Sequence, residues 1–166
     1  MRKMPWAWVP VLALSVLAMT ARAAGPVEVS FVEPKRFSDA GADSEEAQRN
    51  EKTLETFLQG LGERYLPDGQ SLRIDVLDIA LAGTSRQTRG GTDLRIARGG
   101  ADIPVIKMRY TLSAAGQVVK SGEERVTDLN YLRHDGDRFK TGSLRLEKQM
   151  LTRWFRERFG EAKPAG

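Results

Sequence analysis

Past an uncharged apolar run at residues 4–19, the chain switches between a two-residue and a 3.6-residue hydrophobic period. Val27, Val29 and Phe31 alternate with Glu28 and Ser30, which is the pattern of a half-buried strand, and Pro34 ends it. Asp43 followed by Glu46 has the form of a helix N-cap and its reciprocal partner. Leu54, Phe57, Leu58, Leu61 and Tyr65 then recur at helical spacing. The pattern predicts an amphipathic helix over residues 44–66, closed by Pro67-Asp68-Gly69.

Residues 71–81 are dense in Leu, Ile and Val. Leu72, Ile74 and Val76 share one phase before it shifts to Leu77, Ile79 and Leu81, so a bulge or a strand covered on both faces is expected. An arginine- and glycine-rich stretch over residues 84–102 follows, with an apolar island at Leu94 and Ile96 that has room for a brief edge strand. Ile106, Met108, Tyr110 and Leu112 alternate with Lys107, Arg109, Thr111 and Ser113, predicting a strand with one wet face. Ala114-Ala115-Gly116 turns it back into a partner over residues 117–126. Residues 127–142 read as loop. Ser143 has the chemistry of an N-cap for a last helix, in which Leu144, Leu151 and Phe155 form one stripe beside Met150 and Trp154, and Gly160 ends it.

The order β-α-β-β-β-α predicts an α+β two-layer sandwich, with two helices packed on one face of a small mixed or antiparallel sheet. Two short echoes, at residues 89–93 and 98–102, are too few to make a repeat architecture.

The N-terminus changes this picture. Arg2 and Lys3 precede the apolar run, and Ala21-Arg22-Ala23 has the small-x-small form that signal peptidase cuts, so residues 1–23 read as a secretory signal and residues 24–166 as a single mature domain. The competing reading is a membrane anchor, but the run is shorter than the ~20 residues a spanning helix needs and is interrupted by Pro5 and Pro10. A bacterial lipoprotein needs a cysteine after the cut, and the chain has none. The expected location is therefore periplasmic, with no stable membrane anchor after processing. Removing Arg2, Lys3 and Arg22 lowers 26 basic residues to 23 against 22 acids, so the net charge falls from +4 to +1. That near balance argues against nucleic acid as a partner.

The same lack of cysteine excludes disulfides, thiolate nucleophiles and cysteine zinc sites. Five candidate features remain, to be weighed against their structural readings. Arg86, Arg89, Arg95 and Arg98 could grip a phosphate or acidic glycan, or belong to a solvated connection. Glu124, Asp128, Asn130 and Tyr131, close to Glu123, form the densest polar constellation and the candidate recognition surface. Glu124, Asp128 and Asn130 could offer oxygen ligands to a hard cation. Yet Glu123 and Glu124 point to opposite faces of a strand, and Asp128 or Asn130 capping a turn, with the Tyr131 ring packed on the core, is the better reading. His134 is the only histidine and has no activated serine or second ligand in view. Ser85 and Ser121-Gly122 lack the hydrolase elbow, and Trp154-Phe155 fits core packing better than a ligand platform. No cofactor motif and no catalytic motif stands out.

Several segments together carry a resemblance: Val27-Glu28-Val29-Ser30-Phe31, residues 77–83, Arg109-Tyr110, Ser121-Gly122-Glu123-Glu124, Asp128-Leu129-Asn130-Tyr131, and residues 144–151 leading to Trp154-Phe155. The chain resembles a family of exported Gram-negative bacterial proteins known as domain of unknown function 3016. The resemblance covers nearly the whole mature chain and implies an envelope protein of one domain, with no functional residues to carry over. The leading expectation is a non-enzymatic binding or accessory module for an envelope protein or small ligand. The alternatives are a carboxylate-based or cation-dependent hydrolase using Glu124 and Asp128, and an anion- or glycan-binding protein using the arginine loop.

Overall fold

The computed structural model describes residues 26–87, 93–96, 102–130 and 143–160. Six strands and two helices follow one another as β1 (Val27–Phe31), α1 (Ser44–Tyr65), β2 (Gln70–Ala80), β3 (Thr84–Gln87), β4 (Asp93–Ile96), β5 (Val105–Ala114), β6 (Gln117–Thr127) and α2 (Arg145–Phe159). The main sheet has the order β1-β2-β5-β6. It is mixed, because β1 runs parallel to β2 while the other pairs are antiparallel. Both helices cover one face, so the α+β sandwich read from the periodicities is the architecture observed.

Register explains why the two faces differ. One row across the four strands is Val29, Ile74, Tyr110 and Gly122, and the row beside it on the opposite face is Ser30, Asp75, Arg109 and Glu123. The first row lies under the helices, where Ile74 and Tyr110 are buried. The second faces water and is stitched by polar pairs. Ser30 Oγ donates to Asp75 at 2.6 Å, and Arg109 and Lys107 hold Glu123 at 2.9 and 3.0 Å. A strand period of two thus separates the helix-covered face from the polar face along this part of the sheet.

The expected bulge lies in β2: Val76 pairs with Met108 but Asp78 pairs with Lys107, which leaves Leu77 as the extra residue. The inserted residue reverses the phase so that Ile79, like Ile74, is fully buried. The β5–β6 turn consists of Ala115 and Gly116 at φ 49° and 78°. Two left-handed residues match the twist of a tight hairpin, and Ala115 accepts that conformation at some steric cost.

α1 starts as the sequence predicts. Glu46 N–H donates to Asp43 at 2.7 Å, and the Glu46 carboxylate reaches back to Ala42 N–H at 2.6 Å. Leu54, Leu58, Leu61 and Tyr65 are buried on its sheet side, whereas Phe57, placed on the same stripe by spacing, is only partly buried. Near its end the helix meets β1 so closely that a Cβ on Gly62 would overlap Val27 Cγ2.

Two expectations change. Ser143 does not cap α2. The cap position is Leu144, at φ 56° and with no side-chain cap bond, because the chain enters the helix through a left-handed residue that turns Leu144 toward the core. The island at Leu94 and Ile96 is a strand, but it pairs with β3 in a separate two-stranded sheet rather than adding an edge to the main one. The turn after Ala82 carries β3 away from the main sheet, so β4 finds its partner locally.

Candidate functional site

The acidic constellation proves to be a dock for α2. Glu124 lies on the helix-facing side of β6, where Trp154 Nε1 donates to it at 3.0 Å and Arg158 Nε at 2.9 Å. Burial alone pushes the Glu124 carboxyl up, but the bonds from Trp154 and Arg158 outweigh it and hold the group below the ordinary carboxylate range. Burial, reinforced by the Glu124 charge, pushes the Tyr110 phenol up. Asp128 is buried, pairs with Arg153 of α2, and accepts Asn130 N–H at 2.9 Å in the turn that follows the strand. Glu123 faces the other way, as its place on the strand requires, and pairs with Lys107 and Arg109. Glu124 and Asp128 therefore serve two separate cations of one helix. Tyr131 and His134 lie outside the described residues, as do Arg89, Arg98 and the cut at Ala21 and Ala23.

Trp154 and Phe155 pack in the core, with Tyr110, Trp154 and Phe159 meeting edge to face at 5.4–5.9 Å. Gly122 lies opposite Tyr110 in the register, and a Cβ there would come within 3.0 Å of the Tyr110 hydroxyl. The glycine gives the ring its seat.

Of the arginine-rich stretch, Arg86 falls in β3 and Arg95 in β4. Arg95 is engaged within the fold. Its guanidinium makes two bonds of 2.9 Å to Asp39 and a third of 3.1 Å to Gly83 O, the fork geometry that arginine offers a carboxylate. Beside this pair, the buried Glu147 of α2 accepts Ala82 N–H at 2.7 Å. Burial pushes its carboxyl up, with the Ala82 bond and the Arg95 charge pulling the other way. Sequence reasoning passed over both Asp39 and Glu147, whose partners lie 56 and 65 residues away.

A concave feature lies elsewhere, in the helix layer. The helices run side by side in the same direction, with Tyr65 against Phe155 and Lys148 Nζ 5.9 Å from the Phe57 ring centre. Along α1, bordered by Lys148 of α2, is an open groove of about 480 Å³ lined by α1 residues from Lys52 to Arg64. That volume lies within the ~300–1,000 Å³ typical of small-molecule sites. Phe57 lines it with Leu61 almost fully buried beneath, and Lys52, Arg64 and Lys148 supply charge, with no acid among the described lining residues. Lys52 is paired with Glu55 at 2.9 Å.

Two residues of this groove run against local preference. Gly60 sits in the middle of α1, where glycine costs about 1 kcal/mol relative to alanine. A Cβ there would meet nothing within 4 Å among the described residues. Packing against Val27 explains Gly62, whereas nothing in the structure explains Gly60, which stands on the exposed side of α1. Lys148 stands at the start of α2, where the helix dipole disfavours a cation by ~0.3–1 kcal/mol. Its contact with the Phe57 face offsets part of that cost.

Among the described residues no group of three or more histidine or acidic side chains is placed to hold a metal ion. No described helix is long and apolar enough to cross a membrane. A profile of the family described as "Protein of unknown function (DUF3016)" matches residues 25–157, and the chain belongs to that family. No curated protein and no solved structure matches it.

Proposed function

We propose that this protein is an exported, non-enzymatic binding module of the bacterial envelope, and that the groove along α1 is its ligand site. The observation that carries the reading is the groove itself, about 480 Å³ along α1 with Lys52, Arg64 and Lys148 in its lining. The hydrolase reading is disfavoured by the engagement of its two carboxylates, Glu124 with Trp154 and Arg158 and Asp128 with Arg153. A carboxylate tied into a helix dock is poorly placed to take a proton from a substrate. Export is supported by the charged, apolar and small-residue zones of residues 1–23.

The test has two parts. N-terminal sequencing of protein recovered from the envelope fraction should begin near Ala24, and an intact Met1 there would overturn the export reading. A photo-crosslinking side chain at Thr56, a groove position on α1, should capture a ligand in intact cells. The adduct should disappear when Gly60 is replaced by leucine. A crosslink that survives Gly60→Leu unchanged counts against the groove.

A further inference from the structure

We infer that β6 is a pairing edge for a second copy of this chain, joining two four-stranded sheets into one across a two-fold axis at Gly122. This surface is separate from the groove and does not depend on it. Among the described residues β6 has β5 as its one neighbour, so a strand of 11 residues closes the main sheet with its other side unpaired. Residues 117–121, Glu123 and Arg125 are exposed. The opposite edge, β1, has only 5 residues. A long open edge presents a row of backbone N–H and C=O groups to another strand. Apolar exposure gathers along it as well. Val118 is 64% exposed, Val119 57% and Leu129, just past the strand, 74%, and Val32 is the one other exposed large hydrophobic among the described residues.

The charges on β6 select both the partner and the register. Two identical strands that extend one sheet pair antiparallel about an axis perpendicular to it, so each residue faces the one equally far beyond the axis. An axis at Lys120, Glu123, Glu124 or Arg125 sets a charge against its own copy, which destabilises. An axis at Ser121 sets Lys120 opposite Gly122 and matches no charge. An axis at Gly122 sets Lys120 opposite Glu124 twice, on the helix-facing side, and Ser121 opposite Glu123 twice on the other. Within the charged stretch of the strand this is the self-complementary register.

The groups at this axis are prepared for it. Lys120 Nζ donates to Arg158 O at 2.9 Å and lies 5.7 Å from the Phe159 ring centre, and Glu124 accepts from Trp154 and Arg158. Both charges are thus ordered before a second copy arrives, and the ammonium has further N–H donors to offer it. Gly122 puts no side chain at the axis itself, where two backbones come together. Lys120 pairs with Leu112 but Val118 with Ser113, so Val119 is an extra residue that ends the straight edge. The paired stretch is therefore residues 120–124 of each strand, with Val118 and Val119 flanking it.

The experiment is sedimentation velocity of the purified protein over a range of concentrations at low salt. Wild type should sediment as a dimer that dissociates on dilution. Ser121→Glu sets acid opposite Glu123 at two places and should weaken dimerisation about ten-fold, with an unchanged melting temperature because the position is exposed. Ser121→Lys, which sets opposite charges there, should dimerise at least as tightly as wild type. A wild type that stays monomeric up to about 1 mM overturns the proposal, including one whose β6 edge crosslinks to a different protein in intact cells. A dimer that Ser121→Glu and Ser121→Lys leave equally intact overturns β6 as its interface. A dimer that both weaken equally overturns the register about Gly122.

Discussion

Lys148 Nζ lies 5.9 Å from the centre of the Phe57 ring, joining the start of the second helix to the middle of the first. Neither residue belongs to the polar constellation that stands out in the sequence. Together they border a groove along the first helix that Phe57 lines and that carries three cations in its lining. The account of this protein rests on that groove, and its consequences separate stability from binding.

Gly60→Ala should stabilise the fold by about 0.5–1 kcal/mol, because alanine loses less backbone freedom on entering a helix and its methyl would meet nothing within 4 Å. Urea denaturation measures this. A stabilised variant with weakened ligand binding would be the signature of a glycine kept for function.

Gly62→Ala, two residues away, should do the opposite. Its methyl would overlap Val27 Cγ2, and forcing β1 away from α1 should cost about 1–3 kcal/mol, as overpacking does. The same denaturation experiment gives the sign. A neutral Gly62→Ala would contradict the close approach of β1 to α1.

Glu124→Ala should destabilise by about 1–3 kcal/mol through loss of the acceptor for the Trp154 indole and Arg158. Because the folded carboxyl titrates below its ordinary value, its contribution is present above the unfolded pKa and is lost as pH falls through the folded one. The gap between wild type and Glu124→Ala should therefore be full at neutral pH and close in acid. Melting curves at several pH values check it.

Glu147 should show the reverse dependence. Its folded carboxyl titrates above the ordinary value, with burial as the leading cause, so its contribution is present below the unfolded pKa and fades as pH rises through the folded one. Glu147→Gln keeps an acceptor for Ala82 N–H without a buried charge. It should match wild type in acid and exceed it at neutral pH. Glu147→Leu leaves the Ala82 N–H without an acceptor and should cost about 1–3 kcal/mol.

What the sequence revealed was local. The Asp43–Glu46 cap spans three residues, the Leu77 bulge appears as a phase change within one strand, and the opposed faces of Glu123 and Glu124 follow from strand geometry. Helical spacing also put Trp154 and Phe155 in the core, where they are. The site was not legible in this way. Phe57 fitted the core stripe by spacing, and only the fold makes it part of a groove lining. Asp39 and Arg95, or Trp154 and Glu124, meet across 56 and 30 residues of intervening chain, and no periodicity encodes such pairs. Two glycines inside one helical run, Gly60 and Gly62, were legible in the sequence, but only the fold shows that Gly62 seats Val27 while Gly60 faces open space.

The central claim, that the groove along α1 is the binding site, is tested most directly by placing the photo-crosslinking side chain in turn at Thr56 in the groove, at Arg109 of the outer sheet row and at Asn130, in intact cells. The account predicts a small-molecule adduct from Thr56 alone. An adduct from Asn130 or from the outer sheet face, with Thr56 silent, would contradict it.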